Sequence, residues 1–207
     1  MCGIVAYIGD DKAGPILFDT LKRLEYRGYD SAGVAVISQG SVEVLKSSGR
    51  IADLEKTYKS VGSPGEGMGI GHTRWATHGR PSDINAHPHT SGEIAIVHNG
   101  IIENYLDLRE LLTEMGYEFQ SETDSEVLAH LIHFYYKGDL CAATLKALEK
   151  VEGSYAIAVM AASSPYIVGA RYESPLVIGK GSSSVFVASD VPALLPYIKD
   201  IIRLKDG

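Results

Sequence analysis

Two periodicities alternate along the chain and predict a protein of mixed strands and helices. Short runs of apolar and β-branched residues, typical of strands, recur from one end of the sequence to the other. Between them lie apolar residues spaced three or four apart, which is typical of helices. Because the strands outnumber the helices and several are joined by tight turns, the pattern predicts the α+β class with antiparallel sheet.

The predicted elements follow one another without a linker, so we expect one domain over residues 1–207. The first helix begins near Pro15, and the spacing of Thr123 and Glu126 predicts a capping box at the start of a later helix. The predicted strands are residues 3–8, 34–37, 42–45, 68–73, 94–98, 155–161, 167–170, 176–178 and 185–188, and the further helices are residues 108–115, 127–132 and 145–151.

Residues 74–91 lack apolar periodicity, which predicts a long loop of the kind that often carries function. At the other end, Asp206-Gly207 is a strong hairpin-turn signal with no strand after it. We therefore expect the chain to be truncated at its C-terminal end.

Composition limits the class of partner. The chain has 207 residues, and its net charge of −7 has the wrong sign for a nucleic-acid or anionic-membrane surface. Its two cysteines, Cys2 and Cys141, cannot form a disulfide framework or a four-cysteine metal site. The longest apolar run, residues 155–162, is too short to span a bilayer, and the N-terminus does not resemble a secretion signal. We expect a cytoplasmic protein with a small-molecule or protein partner.

Cys2 is the strongest candidate for a catalytic residue. Its small side chain permits removal of Met1, which would leave a cysteine with a free α-amine. Such an amine has a pKa of about 7.7 to 8.0, so it can take the proton of its own thiol near neutral pH. A chain that retains Met1 has an amide there and should lack this chemistry. Taken alone, an isolated cysteine in a strand is more often a small buried apolar residue.

Three further positions could complete a site for an amino acid. Asn99-Gly100 offers a side-chain amide beside a backbone N–H, two donors that can converge on an oxyanion, although this dipeptide is more often a type I′ turn. Arg74 suits a carboxylate, and Asp124 suits an ammonium group. Singly, these two residues are more often a surface ion pair and a helix cap.

The histidines raise a metal site as an alternative. Five of the seven lie within 27 positions: His72, His78, His87, His89 and His98. No HExxH spacing or nearby thiolate accompanies them, so we expect no metal. His130 and His133, three residues apart on a predicted helix, are expected to form a partly exposed pair.

Six motifs in one order resemble the class II glutamine amidotransferases, which are N-terminal-nucleophile hydrolases. They are CGIV at residues 2–5, LEYRGYDSAG at 24–33, HTRWATHG at 72–79, NAHPH at 85–89, HNGIIEN at 98–104 and SETDSEV at 121–127. GSYA at 153–156, ESPLVIG at 173–179 and ASD at 188–190 extend the resemblance along nearly the whole chain. Within the class, YRGYDSAG and RWATHG are similar to the glutamine:fructose-6-phosphate aminotransferase family and unlike the phosphoribosyl-pyrophosphate amidotransferases.

The resemblance implies a four-layer αββα fold, in which helices flank two packed antiparallel sheets. It also implies a glutamine site in which each residue has a stated role. The nucleophile is Cys2; the oxyanion hole is Asn99 and Gly100; the α-carboxylate is held by Arg74, Thr77 and His78; the α-amine is held by Asp124; the gate is Trp75; and Arg27 and Tyr29 have a supporting role.

The implied activity is hydrolysis of L-glutamine to glutamate and ammonia through a γ-glutamyl thioester, without a cofactor. In the family, the ammonia passes to a sugar-isomerase domain that aminates fructose 6-phosphate. That domain is expected to be absent from this chain, and the implied full-length enzyme is a homodimer. Two alternatives remain open: the glutaminase half of a purine or asparagine amidotransferase, and a non-catalytic, histidine-rich metal-binding module with an inert Cys2.

Overall fold

The computed structural model describes residues 2–75 and 79–207, and this part of the chain folds into eleven strands and five α-helices. The strands are β1 (Gly3–Gly9), β2 (Ser31–Ser38), β3 (Ser41–Ser48), β4 (Met68–Arg74), β5 (His89–Ser91), β6 (Ile94–Ile102), β7 (Gly153–Ala161), β8 (Val168–Tyr172), β9 (Val177–Lys180), β10 (Ser184–Ala188) and β11 (Asp200–Arg203). The helices are α1 (Ala13–Lys22), α2 (Ile51–Ser60), α3 (Tyr105–Glu114), α4 (Glu126–Tyr135) and α5 (Leu140–Leu148). Among the described residues, no helix has the length and apolarity needed to cross a membrane.

The strands form two sheets with antiparallel neighbours. One sheet has seven strands in the order β11-β9-β10-β1-β4-β2-β3, and the other has four in the order β5-β6-β7-β8. The predicted hairpin is present as β2 and β3, whose turn residues Gln39 and Gly40 both have positive φ. The predicted α+β class with antiparallel sheet is confirmed.

Alternation of side chains along the strands builds the layers. On β1, Val5 and Tyr7 pack in one cluster with residues of α1 and α2, whereas Ile4 and Ala6 belong to a cluster shared with the second sheet. On β6, Ile94 and Ile96 pack with α4 in the same alternating manner.

The second sheet has the same arrangement, with α3, α4 and α5 on its outer face. Helices therefore cover both outer faces while the inner faces pack on each other, which confirms the predicted αββα order. Much of the central layer is alanine, including Ala6, Ala95, Ala156 and Ala158. Such small side chains let two sheets approach closely.

This alternation also positions the candidate residues. On β4, Ile70 lies in the central layer, and two-residue steps put His72 and Arg74 on the same inner face. On β6, Val97 lies in that layer, and Asn99 follows it by the same step. Because Gly3 pairs with Thr73, the residue before β1 lies beside the end of β4.

Four details differ from the predicted elements. Helix α2 and strand β11 were not predicted, and residues 89–91 of the predicted loop form β5. The N-cap of α4 is Ser125 and not Thr123, so the predicted capping box is wrong. Instead, the Glu126 carboxylate accepts hydrogen bonds from the backbone N–H groups of Gln120 and Ser121. It satisfies backbone donors of the preceding turn and makes no bond to the backbone of Thr123.

Candidate active site

A cavity of about 300 Å³ lies where the start of β1, the end of β4 and the second half of β6 meet. Its walls include Cys2, Arg74, Asn99, Gly100 and Asp124. With Arg27 and Trp75, the fold thus brings seven of the predicted site residues, which are spread over 123 positions of sequence, around one space large enough for an amino acid.

Cys2 is half-buried at the floor of this cavity. Its Sγ accepts a hydrogen bond from the Trp75 N–H at 3.1 Å, and its carbonyl oxygen accepts from Arg27 Nε at 3.1 Å and from Asn99 Nδ2 at 3.0 Å. Burial raises the pKa of the Cys2 thiol, while the Trp75 N–H opposes that rise. The sulfur is therefore mainly a thiol near neutral pH, and an attack by it requires a base.

Asn99 and Gly100 lie within β6, where they pair with Ala156 and Tyr155 of β7. They do not form the type I′ turn that is common for this dipeptide. Gly100 has φ +132°, and a Cβ built on it would overlap the carbonyl of Ser154. A glycine is therefore required at this position of the strand.

Arg74 is the last residue of β4, and its side chain is buried, with 4% of its surface exposed. Its guanidinium donates to the carbonyl of Gly79 at 3.0 Å and to that of Arg80 at 3.5 Å. Gly28 packs so closely on the strand end that a Cβ there would lie 2.6 Å from the Arg74 carbonyl oxygen. These contacts fix a cation in the cavity wall. Thr77 and His78, which were predicted to assist it, lie outside the described residues.

Asp124 forms the acidic part of the wall, just before α4, and 4% of its surface is exposed. Its Oδ2 accepts the Ile102 N–H at 2.9 Å, and its Oδ1 accepts the Ser125 hydroxyl at 3.4 Å. Ser125 Oγ in turn lies 2.8 Å from His98 Nδ1. The carboxylate is thus oriented by β6 and by the turn that starts α4.

The residues predicted as gate and support, Trp75, Tyr29 and Arg27, lie near Cys2. Trp75 and Tyr29 are about half-exposed, and their rings meet edge to face at 5.5 Å. Arg27, next to the Cys2 carbonyl, forms an ion pair with Asp190 at 2.7 Å. Asp190 also accepts the Tyr26 hydroxyl at 2.6 Å. Asp190, the last residue of the ASD motif, is a neighbour of the site that was not predicted.

One expectation about the histidines is wrong in part. His130 is buried, with its Nδ1 2.9 Å from Ser91 Oγ, so the predicted exposed pair is wrong for this residue. Ser91 Oγ also lies 3.0 Å from His133 Nδ1 and joins both rings to β5. Within residues 2–75 and 79–207, no group of three His, Cys, Asp or Glu side chains could hold a metal ion.

A larger cavity of about 680 Å³ is lined by residues that include Lys46, His89 and Glu126, and backbone groups bond both charged side chains. Lys46 Nζ donates to the carbonyls of Ile84 at 3.2 Å, Ala86 at 2.9 Å and Pro88 at 3.3 Å. Glu126 is held by backbone N–H groups, as described above. The bonds of Lys46 tie the loop before β5 to β3, and both charged groups have their hydrogen-bond partners in the backbone.

Comparison with known proteins supports the motif-based expectation. Residues 72–196 match the family described as glutamine amidotransferase domain. The chain is 56% identical over its whole length to glutamine–fructose-6-phosphate aminotransferase (isomerizing) of Clostridium tetani and 54% identical to the protein of that name from Aquifex aeolicus. It spans about a third of the length of these relatives, 34% and 35%.

The fold is also similar to solved structures. Glutamine phosphoribosylpyrophosphate amidotransferase from B. subtilis superimposes over 100% of this chain and 46% of its own, with a TM-score of 0.86 and 26% identity. This likeness confirms the expected N-terminal-nucleophile hydrolase fold. The family match covers more than half of the chain, and the cavity described above lies within the same fold. The chain belongs to the glutamine amidotransferase domain family.

Proposed function

We propose that this chain hydrolyses the side-chain amide of L-glutamine, with Cys2 as the nucleophile. One observation carries the proposal: the thiol, the Asn99 amide, a buried cation and a buried carboxylate line the same cavity. A free amino acid carries an α-carboxylate and an α-ammonium group, which Arg74 and Asp124 complement. The reacting amide is then directed to the remaining wall, where Cys2 and Asn99 lie.

In the first half of the reaction, the α-amine of Cys2, freed by removal of Met1, takes the proton of the thiol. The thiolate then attacks the amide carbon, and the carbonyl π electrons move onto oxygen. Asn99 Nδ2 and the Gly100 N–H are the proposed donors to that oxyanion. An amide nitrogen has two hydrogens, and the bond to the Cys2 carbonyl uses one. Collapse breaks the C–N bond, the ammonium of Cys2 returns the proton, and ammonia leaves.

The second half hydrolyses the γ-glutamyl thioester. The same amine takes a proton from water as the water oxygen attacks the thioester carbon. Collapse breaks the C–S bond, the proton passes to the departing thiolate, and glutamate is released. No oxidant or cofactor is needed for this balance.

We further propose that the ammonia serves an amination in the full-length enzyme, with fructose 6-phosphate as acceptor and glucosamine 6-phosphate as product. The names of the relatives and their threefold greater length support a sugar-isomerase domain as the receiving partner. Exposed Trp75, packed on Tyr29 beside the nucleophile, suits the role of gate to that domain. A homodimer of the full-length enzyme and a cytoplasmic location belong to the same proposal.

A glutaminase assay on protein without Met1 tests the core of the proposal. Wild type should release glutamate from L-glutamine, Cys2→Ala should be inactive, and Cys141→Ala should retain wild-type activity because Cys141 is exposed on α5. Full activity in Cys2→Ala would contradict the assignment. The full-length enzyme should then be assayed with sugar acceptors. If it hydrolyses glutamine but aminates no sugar, the amination proposal is contradicted and the glutaminase proposal stands.

A further inference from the structure

His72 is a fully buried histidine behind the oxyanion site, and nothing in the proposed reaction uses it. It lies on β4, opposite Ile4 of β1 and Gly33 of β2. The sequence pattern raised His72 only as a candidate metal ligand. Its Nε2 lies 2.9 Å from Asn99 Oδ1 and 3.1 Å from the carbonyl oxygen of His98.

The neighbours of the ring determine which nitrogen carries the hydrogen. Asn99 Oδ1 and the His98 carbonyl oxygen are both acceptors, so Nε2 must be the donor. His87 Nδ1, 3.2 Å from the same nitrogen, then presents its lone pair. The Nδ1 of His72 has no hydrogen-bond partner among the described residues. A buried lone pair without a partner is consistent with a neutral ring protonated at Nε2 alone.

This tautomer fixes the orientation of the Asn99 amide. With the Nε2–H bonded to Oδ1, the nitrogen of the amide points the other way, toward Cys2, where Nδ2 donates to the Cys2 carbonyl at 3.0 Å. Rotating the amide by 180° would set its oxygen against the Cys2 carbonyl oxygen and its NH₂ group against the Nε2–H. Both contacts would then be repulsive.

We propose that His72 is a positioning residue, which holds the Asn99 amide so that its NH₂ group faces the oxyanion that forms when Cys2 attacks. The inference rests on the proposed function, because the orientation matters for catalysis only if Asn99 stabilises the oxyanion. His72 itself does not reach the reacting atoms. It acts through Asn99, with His87 packed against it at 4.2 Å between ring centroids.

Burial keeps this device independent of pH. It lowers the pKa of His72 to about 3, so the ring remains neutral at every pH at which such an enzyme would work. The orientation of Asn99 is therefore constant and does not switch with pH.

The test compares two substitutions of His72 with a matched control. In His72→Gln the side-chain amide nitrogen can replace the Nε2–H donor, whereas His72→Leu leaves Asn99 Oδ1 without it. We expect His72→Leu to lower kcat for glutamine hydrolysis by about 10- to 100-fold with little change in KM, and His72→Gln to recover most of kcat. His133→Leu, which alters a half-buried histidine of α4 outside the lining of the cavity, should leave both constants unchanged.

Two further readouts separate positioning from a loss of stability. L-Glutamate γ-semialdehyde forms a tetrahedral adduct with a thiolate, so its inhibition constant should rise in His72→Leu by the same factor by which kcat falls. In an Asn99→Ala background, His72→Leu should cause no further loss of kcat. A full additional loss there, or wild-type kcat in His72→Leu, would overturn the inference.

Failure of the proposed function would look different. Wild-type protein without Met1 would then lack glutaminase activity, which the same assay detects. The tautomer can still be tested by ¹⁵N NMR of the histidine rings. Protonation of His72 at Nε2 supports the inference, and protonation at Nδ1 overturns it whether or not the enzyme is active.

Discussion

At the residue scale, the proposed attack by Cys2 requires a base, because burial raises the pKa of its thiol. Within the described part of the chain, no basic side chain lies within hydrogen-bonding distance of its sulfur. The Trp75 N–H reaches the sulfur at 3.1 Å, but it is a donor and cannot remove a proton. A free α-amine on the same residue meets the need. The two groups are then held in a fixed relation by the covalent structure of the cysteine.

Acylating this amine should abolish turnover. Protein that retains Met1 has an amide nitrogen in place of the amine, which is not basic, and we expect a fall in kcat of at least 100-fold. Intact mass gives the fraction of chains that retain Met1, and glutaminase activity should decrease in proportion to that fraction. Equal activity at all fractions would contradict the role of the amine.

Replacing Arg74 should lower kcat/KM for glutamine and affect the stability of the fold less. Arg74→Ala removes the buried cation proposed for the α-carboxylate, and kcat/KM should drop by about 100-fold, or about 3 kcal/mol of transition-state binding. Arg23→Ala, which removes an exposed arginine of an ion pair after α1, is the control and should leave kcat/KM unchanged. An unaltered kcat/KM in Arg74→Ala would refute the assignment.

At the element scale, much of the site follows from strand alternation. The motifs identified Cys2, Arg74 and Asn99, and two-residue steps from apolar positions of β4 and β6 predict that Arg74 and Asn99 share the inner faces. The pairing of β1 with β4 could not be predicted, because strand neighbours in a mixed order depend on the whole sheet. The same limit hid the ion pair between Arg27 and Asp190, which are 163 positions apart.

Two elements were missed for local reasons. Helix α2 buries Ile51, Leu54 and Tyr58, whose spacing is helical, but the other residues of the segment are mostly polar and the signal is short. Strand β11 is an edge strand with all four residues exposed, so no buried face produces an alternating pattern. The predicted capping box of α4 was wrong because Glu126 bonds to backbone groups of the preceding turn.

Glu126 should stabilise the segment that carries Asp124. Burial alone would raise the pKa of Glu126, but the nearby His130 ring, whose Nε2 lies 3.6 Å from Oε1, and hydrogen bonds from Gln120 and Ser121 outweigh it and lower the pKa to about 2. The stabilisation is present above the ordinary pKa of 4.5 and is lost as pH falls from 4.5 toward 2. Glu126→Gln should cost about 2 kcal/mol in the free energy of unfolding at pH 7.

Urea unfolding at several pH values measures this contribution. The difference between wild type and Glu126→Gln should shrink as the pH is lowered below 4.5. Glu118→Gln alters an exposed carboxyl group nearby and should change the free energy of unfolding very little at any pH. A difference that stays constant with pH would show that the charge of Glu126 has no part in it.

At the scale of the whole molecule, a cluster of neutral histidines lies between the sheets and beside the cavity. His72, His87, His89 and His98 are buried, and desolvation lowers the pKa of each below the ordinary value of 6.5. The same layer that holds Asn99 in place therefore makes the fold sensitive to acid. The packing of the two sheets therefore determines both the position of Asn99 and the neutral state of these histidines.

We expect the domain to lose stability as the pH falls below 6.5. Between the folded and unfolded pKa values, the unfolded chain binds protons that the folded chain does not, so the free energy of unfolding decreases with decreasing pH. Each such histidine contributes about 1.4 kcal/mol per pH unit in that window. For His72 the window extends from 6.5 down to about 3.

Urea midpoints measured from pH 7.5 to pH 5 check this expectation, and His72→Gln should show a shallower pH dependence than wild type. His133→Gln, outside this cluster, is the control and should keep the wild-type slope. A stability that is flat over this range would contradict the burial of neutral rings.

Trapping the γ-glutamyl thioester is the most direct test of Cys2 as the nucleophile. Protein without Met1 is mixed with L-glutamine, quenched in acid during turnover, digested, and analysed by peptide mass spectrometry. We expect a γ-glutamyl adduct on Cys2, in the N-terminal peptide, and we expect hydroxylamine to remove it. The peptide that contains Cys141 should carry no adduct. An adduct on another residue during turnover would contradict the assignment of Cys2. So would an intermediate that accumulates while Cys2 stays unmodified.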